Sequence, residues 1–165
     1  MSDAFASTGD GGVFSLPQIR HLLRVEFARA QRYGYPVALV LIDFAPVRRR
    51  VGDTVFDAEA AGIITRLREL VRTSDYVGRT ESDRLLVLLP HTASDGAVRL
   101  ARRASDSLLS DTRPPADGDD APLAPAIGLA SFEEGTILFF DALLEAAEES
   151  LEQVEGSGTG SVRIL

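Results

Sequence analysis

Apolar and polar positions along this 165-residue chain follow a pattern typical of helices set between short buried strands. Its central feature is residues 72–90, where two short apolar-rich runs, Asp75–Thr80 and Arg84–Leu89, flank the polar link Glu81-Ser82-Asp83. Strand-like runs on either side of a tight polar link are typical of a β-hairpin. The second run contains the segment LLVLL, whose lack of alternation indicates a strand buried on both faces. We therefore expect this hairpin in the middle of a sheet.

The remaining pattern predicts further helices and strands around the hairpin. Helices are predicted from Pro17 to just before Gly34, from Asp53 to Val71, from a cap at Ser94 or Asp95 to about Leu109, and over Ile137–Val154; strands are predicted over Tyr35–Phe44, Leu123–Phe132 and Ser161–Leu165. Gly128 inside a strand indicates the close approach of another backbone. This order predicts an α/β (α+β) fold with a mixed central sheet of about five strands covered by helices.

Polar segments set the boundaries of the domain. Residues 1–13 are small, polar and Gly-rich, and they are predicted to be a disordered lead before a single domain over residues 14–165. Arg48-Arg49-Arg50 follows a strand and is expected in a loop, as a solvated basic patch. The acidic run Glu145–Glu155 is interpreted as a solvated helix face, with a basic partner as the alternative. Phe139-Phe140 is expected to pack into the core at a helix start, with an exposed docking spot as the alternative.

Composition excludes several classes of chemistry. The absence of cysteine removes disulfides, thiol nucleophiles and Cys-ligated zinc. All 17 basic residues are arginine, so lysine Schiff-base chemistry and a P-loop lysine are excluded. An all-arginine set suits phosphate and guanine recognition, although codon usage in a GC-rich genome is the favoured explanation. The net charge of −8 argues against general DNA, RNA or anionic-membrane binding. No long apolar run or leader sequence is evident, so a cytoplasmic location without membrane insertion is expected.

The order of elements and several landmarks resemble the GGDEF domain, the catalytic module of diguanylate cyclases. Leu16-Pro17 lies where the family opens with a Leu-Pro-Asn-Arg turn, and the strand that ends at Asp43 is similar to the family's metal-binding strand. The residues of 126–130, Ala-Ile-Gly-Leu-Ala, resemble the family's Ser-Ile-Gly-Val-Ala strand. VLLP at 87–90 follows the hairpin as it does in the family. From the residues alone, Asp43 is either a cap for the following turn or a metal ligand.

The resemblance implies a signature that is degenerate in this chain. Glu81-Ser82-Asp83-Arg84-Leu85 stands where the family has Gly-Gly-Asp-Glu-Phe, and side chains at the first two positions would crowd a bound GTP. Asp83 keeps the type of a metal ligand and is, with Asp43, a vestigial candidate for Mg²⁺, whereas Arg84 puts a positive charge where an acidic residue belongs.

Other departures from the family pattern lie near the same predicted site. The family's guanine-binding Asn-Asp pair falls near Val51, Gly52 and Asp53, Ala45 lacks the second strand-end carboxylate, and Glu155 replaces a phosphate-contacting lysine. We therefore expect no cyclase activity, no cofactor and no bound Mg²⁺.

The resemblance also implies a second site that this chain retains. In many family members an Arg-x-x-Asp motif before the signature binds cyclic di-GMP as an inhibitor, and Arg72-Thr73-Ser74-Asp75 lies at the matching distance. The spelling alone carries no weight, because Arg50–Asp53 and Arg103–Asp106 share it. The predicted cyclic di-GMP-binding residues are Arg72, Asp75, Arg79, Arg99 and Arg103. Arginine forks suit guanine and phosphate, and a carboxylate accepts from guanine N–H groups.

Two functional hypotheses follow. The first is a catalytically inactive receptor for cyclic di-GMP that signals through ligand-linked dimerisation or a protein partner. The second is a nucleotide-independent pseudoenzyme that serves as a protein–protein interaction module, in which Arg72 and Asp75 form only a local surface ion pair.

Overall fold

The computed structural model describes Phe5 and residues 13–80, 83–116, 121–133 and 139–165. Within these residues the chain forms five helices and six strands. The elements in chain order are α1 (Leu16–Tyr33), β1 (Val37–Asp43), α2 (Ala45–Val51), α3 (Asp53–Leu70), β2 (Tyr76–Arg79), β3 (Arg84–Pro90), α4 (Ser94–Ser107), β4 (Ala126–Phe132), α5 (Asp141–Glu152), β5 (Gly158–Thr159) and β6 (Arg163–Ile164).

The six strands form one mixed sheet, which confirms the predicted fold class. Its order is β2-β3-β1-β4-β5, and β6 pairs with a later part of β4. β1 is central and runs antiparallel to β3 and β4, whereas β5 and β6 run parallel to β4. The prediction that the hairpin occupies the middle of the sheet is wrong. Of its two strands, β3 lies between β2 and β1, but β2 is the first strand in the sheet order. The apolar run in β3 is buried as predicted.

Helices cover both faces of the sheet. α1 and α5 share one apolar cluster with alternate residues of β1, and α2, α3 and α4 share a second cluster with the other residues of β1. α5 packs closely on β4 at Gly128, where an added Cβ would lie 2.3 Å from the carbonyl oxygen of Ala147. The predicted close backbone approach at Gly128 is therefore confirmed.

Two local predictions differ from the structure. Arg48-Arg49-Arg50 lies in α2 rather than in a loop, with Pro46 in the first turn of the helix, and Arg48 is buried. The start of α4 is capped neither by Ser94 nor by Asp95: Ala93 is the N-cap residue, and the Ser94 backbone N–H donates to Glu133 Oε1 at 2.7 Å. In both cases the partner is distant in sequence, so no local pattern indicates it.

Phe5 corrects part of the prediction for the N-terminal lead. Its side chain is 2% exposed, with its ring centroid 5.5 Å from that of Phe44 and 5.8 Å from that of Phe56. The prediction of disorder is therefore wrong at this residue, and residues 1–4 and 6–12 lie outside the described part of the chain. Among the helices that the structure describes, none is long and apolar enough to cross a membrane.

Candidate functional site

A cavity of about 140 Å³ opens where the end of α3, the turn before β2 and the outer side of α4 meet. Four of the five predicted cyclic di-GMP-binding residues line this cavity: Arg72, Asp75, Arg99 and Arg103. Its other lining residues are Leu70, Leu89, Thr92, Gly96 and Leu100. We call this space the α3–α4 cavity. Sequence distance does not place the four predicted side chains together, since Arg72 and Asp75 belong to the turn before β2 and Arg99 and Arg103 belong to α4.

The fifth predicted residue, Arg79, does not line the α3–α4 cavity. It is the last residue of β2, is half-buried, and lies opposite Leu85 in the β2–β3 register. The structure therefore separates Arg79 from the other four predicted residues.

A tight turn holds the carboxylate of Asp75 in place. The Asp75 backbone N–H donates to the Arg72 carbonyl oxygen at 3.0 Å, and the Arg72 backbone N–H donates to Asp75 Oδ2 at 2.8 Å. The other oxygen, Asp75 Oδ1, is shielded from solvent and has no hydrogen-bond partner within the described residues. Burial raises the pKa of Asp75, while the hydrogen bond from Arg72 and its charge oppose the rise. The turn thus leaves one oxygen of the Asp75 carboxylate without a hydrogen bond beside the cavity.

Arginines form the rim of the α3–α4 cavity. The side chains of Arg72 and Arg103 are exposed, and neither forms an ion pair with a residue that the structure describes. Arg99 lies one turn before Arg103 on α4, and its Nη1 is 3.0 Å from Asp95 Oδ2. Leucine side chains from α3, β3 and α4 supply the apolar lining. The arrangement combines an apolar slot, a cationic rim and one carboxylate acceptor.

A second group of predicted residues lies at the end of β1 and the start of β3, around residues 83–85. Asp43 Oδ1 accepts from the Ala45 backbone N–H at 2.9 Å, and its Oδ2 accepts from Arg84 Nη2 at 3.2 Å. Asp43 and Arg84 are also direct partners in the β1–β3 register. Of the two interpretations of Asp43, the structure supports a cap for the following turn, because one oxygen binds the backbone and the other binds an arginine.

Asp83 is engaged as completely as Asp43. Arg48 Nε donates to Asp83 Oδ2 at 2.8 Å, and Arg48 Nη2 donates to Asp83 Oδ1 at 2.7 Å. Asp83 is 3% exposed, and its backbone has a φ of 67°, which aspartate tolerates better than most residues. The same guanidinium lies 3.0 Å from Asp53 and from Asp57, and it stacks over the Phe56 ring at 4.6 Å. The hydrogen bonds to Asp83 are the main cause that raises the pKa of Arg48.

The remaining signature residues add little to this group. Glu81 and Ser82 lie outside the described residues, and Leu85 is fully buried in β3. Within the described part of the chain, no group of three or more His, Cys, Asp or Glu side chains is arranged to hold a metal ion. Sequence reasoning missed the role of Arg48, because its partner Asp83 is 35 residues away. The only indication of this role in the sequence is that Arg48 follows closely after a strand that ends in aspartate.

The comparisons with known proteins agree with this architecture. The family model described as "Diguanylate cyclase, GGDEF domain" matches residues 14–161. The diguanylate cyclase DosC of Escherichia coli K12 is 25% identical over 146 residues, which are 87% of this chain and 31% of that protein. The chain thus spans about a third of the length of the curated relatives that it matches most completely.

Solved structures show the same fold. The GGDEF domain of PA1120 (TpbB or YfiN) from Pseudomonas aeruginosa is 25% identical with a TM-score of 0.71, and the match covers 92% of this chain and 90% of that one. The GGDEF domain of DgcB from Caulobacter crescentus, solved in complex with c-di-GMP, has a TM-score of 0.74 at 13% identity and covers 92% and 91% of the two chains. Because the family model matches residues 14–161, which are most of this chain, the chain belongs to the GGDEF domain family.

Proposed function

We propose that this domain is a catalytically inactive GGDEF domain that binds cyclic di-GMP in the α3–α4 cavity and transmits binding through ligand-linked dimerisation or a protein partner. The observation that carries the proposal is that Arg72, Asp75, Arg99 and Arg103 line one cavity although two separate segments, the turn before β2 and α4, supply them. The relative DgcB was solved in complex with the same dinucleotide.

The size of the cavity suits one base of the ligand. A protein cavity of about 150 Å³ admits a single benzene ring, so a space of about 140 Å³ is suited to part of one purine rather than to a whole dinucleotide. The purine would enter the apolar slot with its N1 and N2 donors toward Asp75 Oδ1. The ribose and phosphate groups would remain at the exposed rim, where Arg72 and Arg103 are available for bidentate contacts.

The absence of catalysis is proposed from the charges at the signature. A divalent metal needs carboxylate oxygens that are free to coordinate it. Both oxygens of Asp43 and both oxygens of Asp83 already accept hydrogen bonds, and arginine supplies a donor to each carboxylate. These residues therefore do not fit a Mg²⁺ ion. Without that metal, the site lacks the charge that would offset GTP phosphates.

The test is calorimetric titration of the protein with cyclic di-GMP, beside a titration with GTP plus Mg²⁺ and an assay for cyclic di-GMP formation from GTP. We expect saturable binding of cyclic di-GMP and no turnover of GTP. Arg72→Ala should weaken binding at least about tenfold, because it removes charge-assisted hydrogen bonds worth about 1.5–3 kcal/mol.

Two control variants separate the site from general electrostatics. Arg102→Ala removes an exposed arginine of α4 that does not line the cavity, so it should leave the affinity unchanged, whereas Arg103→Ala on the same helix should reduce it. Equal effects of Arg102→Ala and Arg103→Ala would show non-specific charge attraction. An absence of binding by the unmodified protein would favour the nucleotide-independent interaction module.

A further inference from the structure

α1 and α5 both cover the face of the sheet opposite the α3–α4 cavity. Both helices bury their apolar sides in the same cluster, which excludes α3 and α4. The Arg24 guanidinium stacks over the ring of Phe140, just before α5, at 5.0 Å. Because neither helix contributes to the α3–α4 cavity, the outer surface of this pair is separate from the proposed ligand site.

The outer surface of α1 is basic. Four arginines are exposed along the helix, and we call them the basic strip: Arg20, Arg24, Arg29 and Arg32. The only acidic residue of α1, Glu26, is buried and accepts a hydrogen bond from the Tyr35 hydroxyl at 2.5 Å. None of the four arginines forms an ion pair with a residue of the described chain.

The outer surface of α5 carries the opposite charge. Five carboxylates lie on one side of the helix, four of them exposed and Glu148 half-buried, and we call them the acidic strip: Asp141, Glu145, Glu148, Glu149 and Glu152. Among them the structure gives one ion pair, a long contact of 3.8 Å between Glu149 and Arg163. Thus one face of the molecule carries four positive and five negative side chains on separate helices, and no ion pair joins the two strips within the described residues.

We propose that the outer surface of α1 and α5 is a self-complementary interface for a second copy of this chain. A two-fold axis between the helices would lay the basic strip of each copy on the acidic strip of the other, so that every contact occurs twice. Arginine suits such an interface because its planar fork binds carboxylates bidentately. Phe139, 69% exposed just before α5, adds an apolar contact.

The choice of a second copy follows from the arrangement of the charges. A wholly basic partner would meet the basic strip, and a wholly acidic partner would meet the acidic strip, so each would be repelled by half of the surface. A second copy matches both strips at once. The chain's net charge of −8 opposes association at long range, and the self-neutralising strips offset that repulsion locally.

The experiment is sedimentation velocity of the protein without nucleotide, in low and in high salt. We expect a dimer at about 25 mM NaCl whose dissociation constant rises at least about tenfold at about 500 mM NaCl, because exposed ion pairs are screened. A protein that remains monomeric at low salt, up to the highest soluble concentration, overturns the proposal.

Charge reversal in trans identifies the surface. Variant one, with Arg20, Arg24 and Arg32 changed to Glu, gives the basic strip a net negative charge. Variant two, with Glu145, Glu149 and Glu152 changed to Arg, gives the acidic strip a net positive charge. Each variant alone should be monomeric, and an equimolar mixture should form a heterodimer, since each strip then meets its opposite. A mixture that stays monomeric, or single variants that still dimerise, overturns the assignment of this surface.

A matched control tests for general effects of charge. The combination of Arg49→Glu, Arg102→Glu and Arg113→Glu changes the net charge by the same amount as variant one, at exposed positions outside α1 and α5. It should dimerise as the unmodified chain does. Circular dichroism of all variants shows whether they fold. The proposal does not depend on nucleotide binding, so failure of the cyclic di-GMP titration leaves it intact.

Discussion

Arginine side chains bind both aspartates that the GGDEF resemblance predicts as metal ligands. Arg84 lies against Asp43 across the β1–β3 register, and Arg48 binds both oxygens of Asp83 from α2. A buried carboxylate needs a compensating positive charge, and in this chain arginine side chains supply it. Both of these aspartates are therefore already paired with an arginine of the same chain.

Replacing Arg48 should destabilise the fold. Arg48→Ala leaves the 3%-exposed carboxylate of Asp83 without a partner, and breaking a buried ion pair in this way costs about 3–5 kcal/mol. Urea denaturation measures the change in the free energy of unfolding. Arg49→Ala, at the exposed neighbouring position of α2, should cost less than about 0.5 kcal/mol. Similar losses in the two variants would contradict the role given to Arg48.

Asp75 should make cyclic di-GMP binding depend on pH. Because burial raises the pKa of its carboxyl above 3.8 in the folded state, protonation occurs at a higher pH than for an exposed aspartate. The proposed contact to guanine N–H donors needs the ionised form, so affinity should fall as the pH drops through this raised pKa. The same shift means that protonation of Asp75 favours the folded state, so loss of binding there does not reflect unfolding caused by this group.

The measurement is calorimetric titration at several pH values, with circular dichroism to confirm folding at each. Asp75→Asn should bind weakly at neutral pH and show a flatter pH profile over the same range. A profile for Asp75→Asn identical to that of the unmodified protein would indicate that another group is responsible.

At the scale of elements, sequence reasoning succeeded where the pattern is periodic and local. The long helices, the buried strands and the hairpin were predictable, because apolar spacing reports burial directly. It failed where contacts join residues that are distant in sequence. The three consecutive arginines of α2 suggest an exposed loop, yet Arg48 lies in a helix and is buried in contact with carboxylates outside α2. The position of the hairpin depended on strand pairing, which the apolar run in β3 alone does not specify. The cavity residues emerged from the family resemblance rather than from any periodicity.

Substitution by alanine should have opposite effects at two glycines, one where α5 packs on β4 and the other within α3. Gly128→Ala should destabilise the domain by about 1–3 kcal/mol, because the added Cβ would overlap Ala147 O in a packed core. Gly62→Ala lies within α3, where the nearest atoms, at 3.2 Å, belong to the flexible end of Arg66, so it should stabilise by about 0.5–1 kcal/mol. Thermal and urea denaturation of both variants measure the difference. A neutral Gly128→Ala would contradict the close packing of α5.

At the scale of the whole molecule, the sheet separates the two proposed surfaces. The α3–α4 cavity lies on the face covered by α2, α3 and α4, and the charged surface of α1 and α5 lies on the other face. One copy can therefore contact a second copy through a ligand bound in its α3–α4 cavity and, at the same time, a third copy through its α1–α5 surface. Two independent two-fold contacts on opposite faces generate an open chain of copies unless their axes close a ring.

We therefore expect cyclic di-GMP to produce assemblies larger than a dimer at low salt. Light scattering coupled to size exclusion should show growth with ligand at about 25 mM NaCl, and only a ligand-linked dimer at about 500 mM NaCl, where the charged strips are screened. The variant with Arg20, Arg24 and Arg32 changed to Glu should stop the growth at the dimer while leaving nucleotide affinity unchanged. Arg72→Ala should stop it at the salt-sensitive dimer. If either variant still forms the larger assemblies, the two surfaces are not the two contacts that build them.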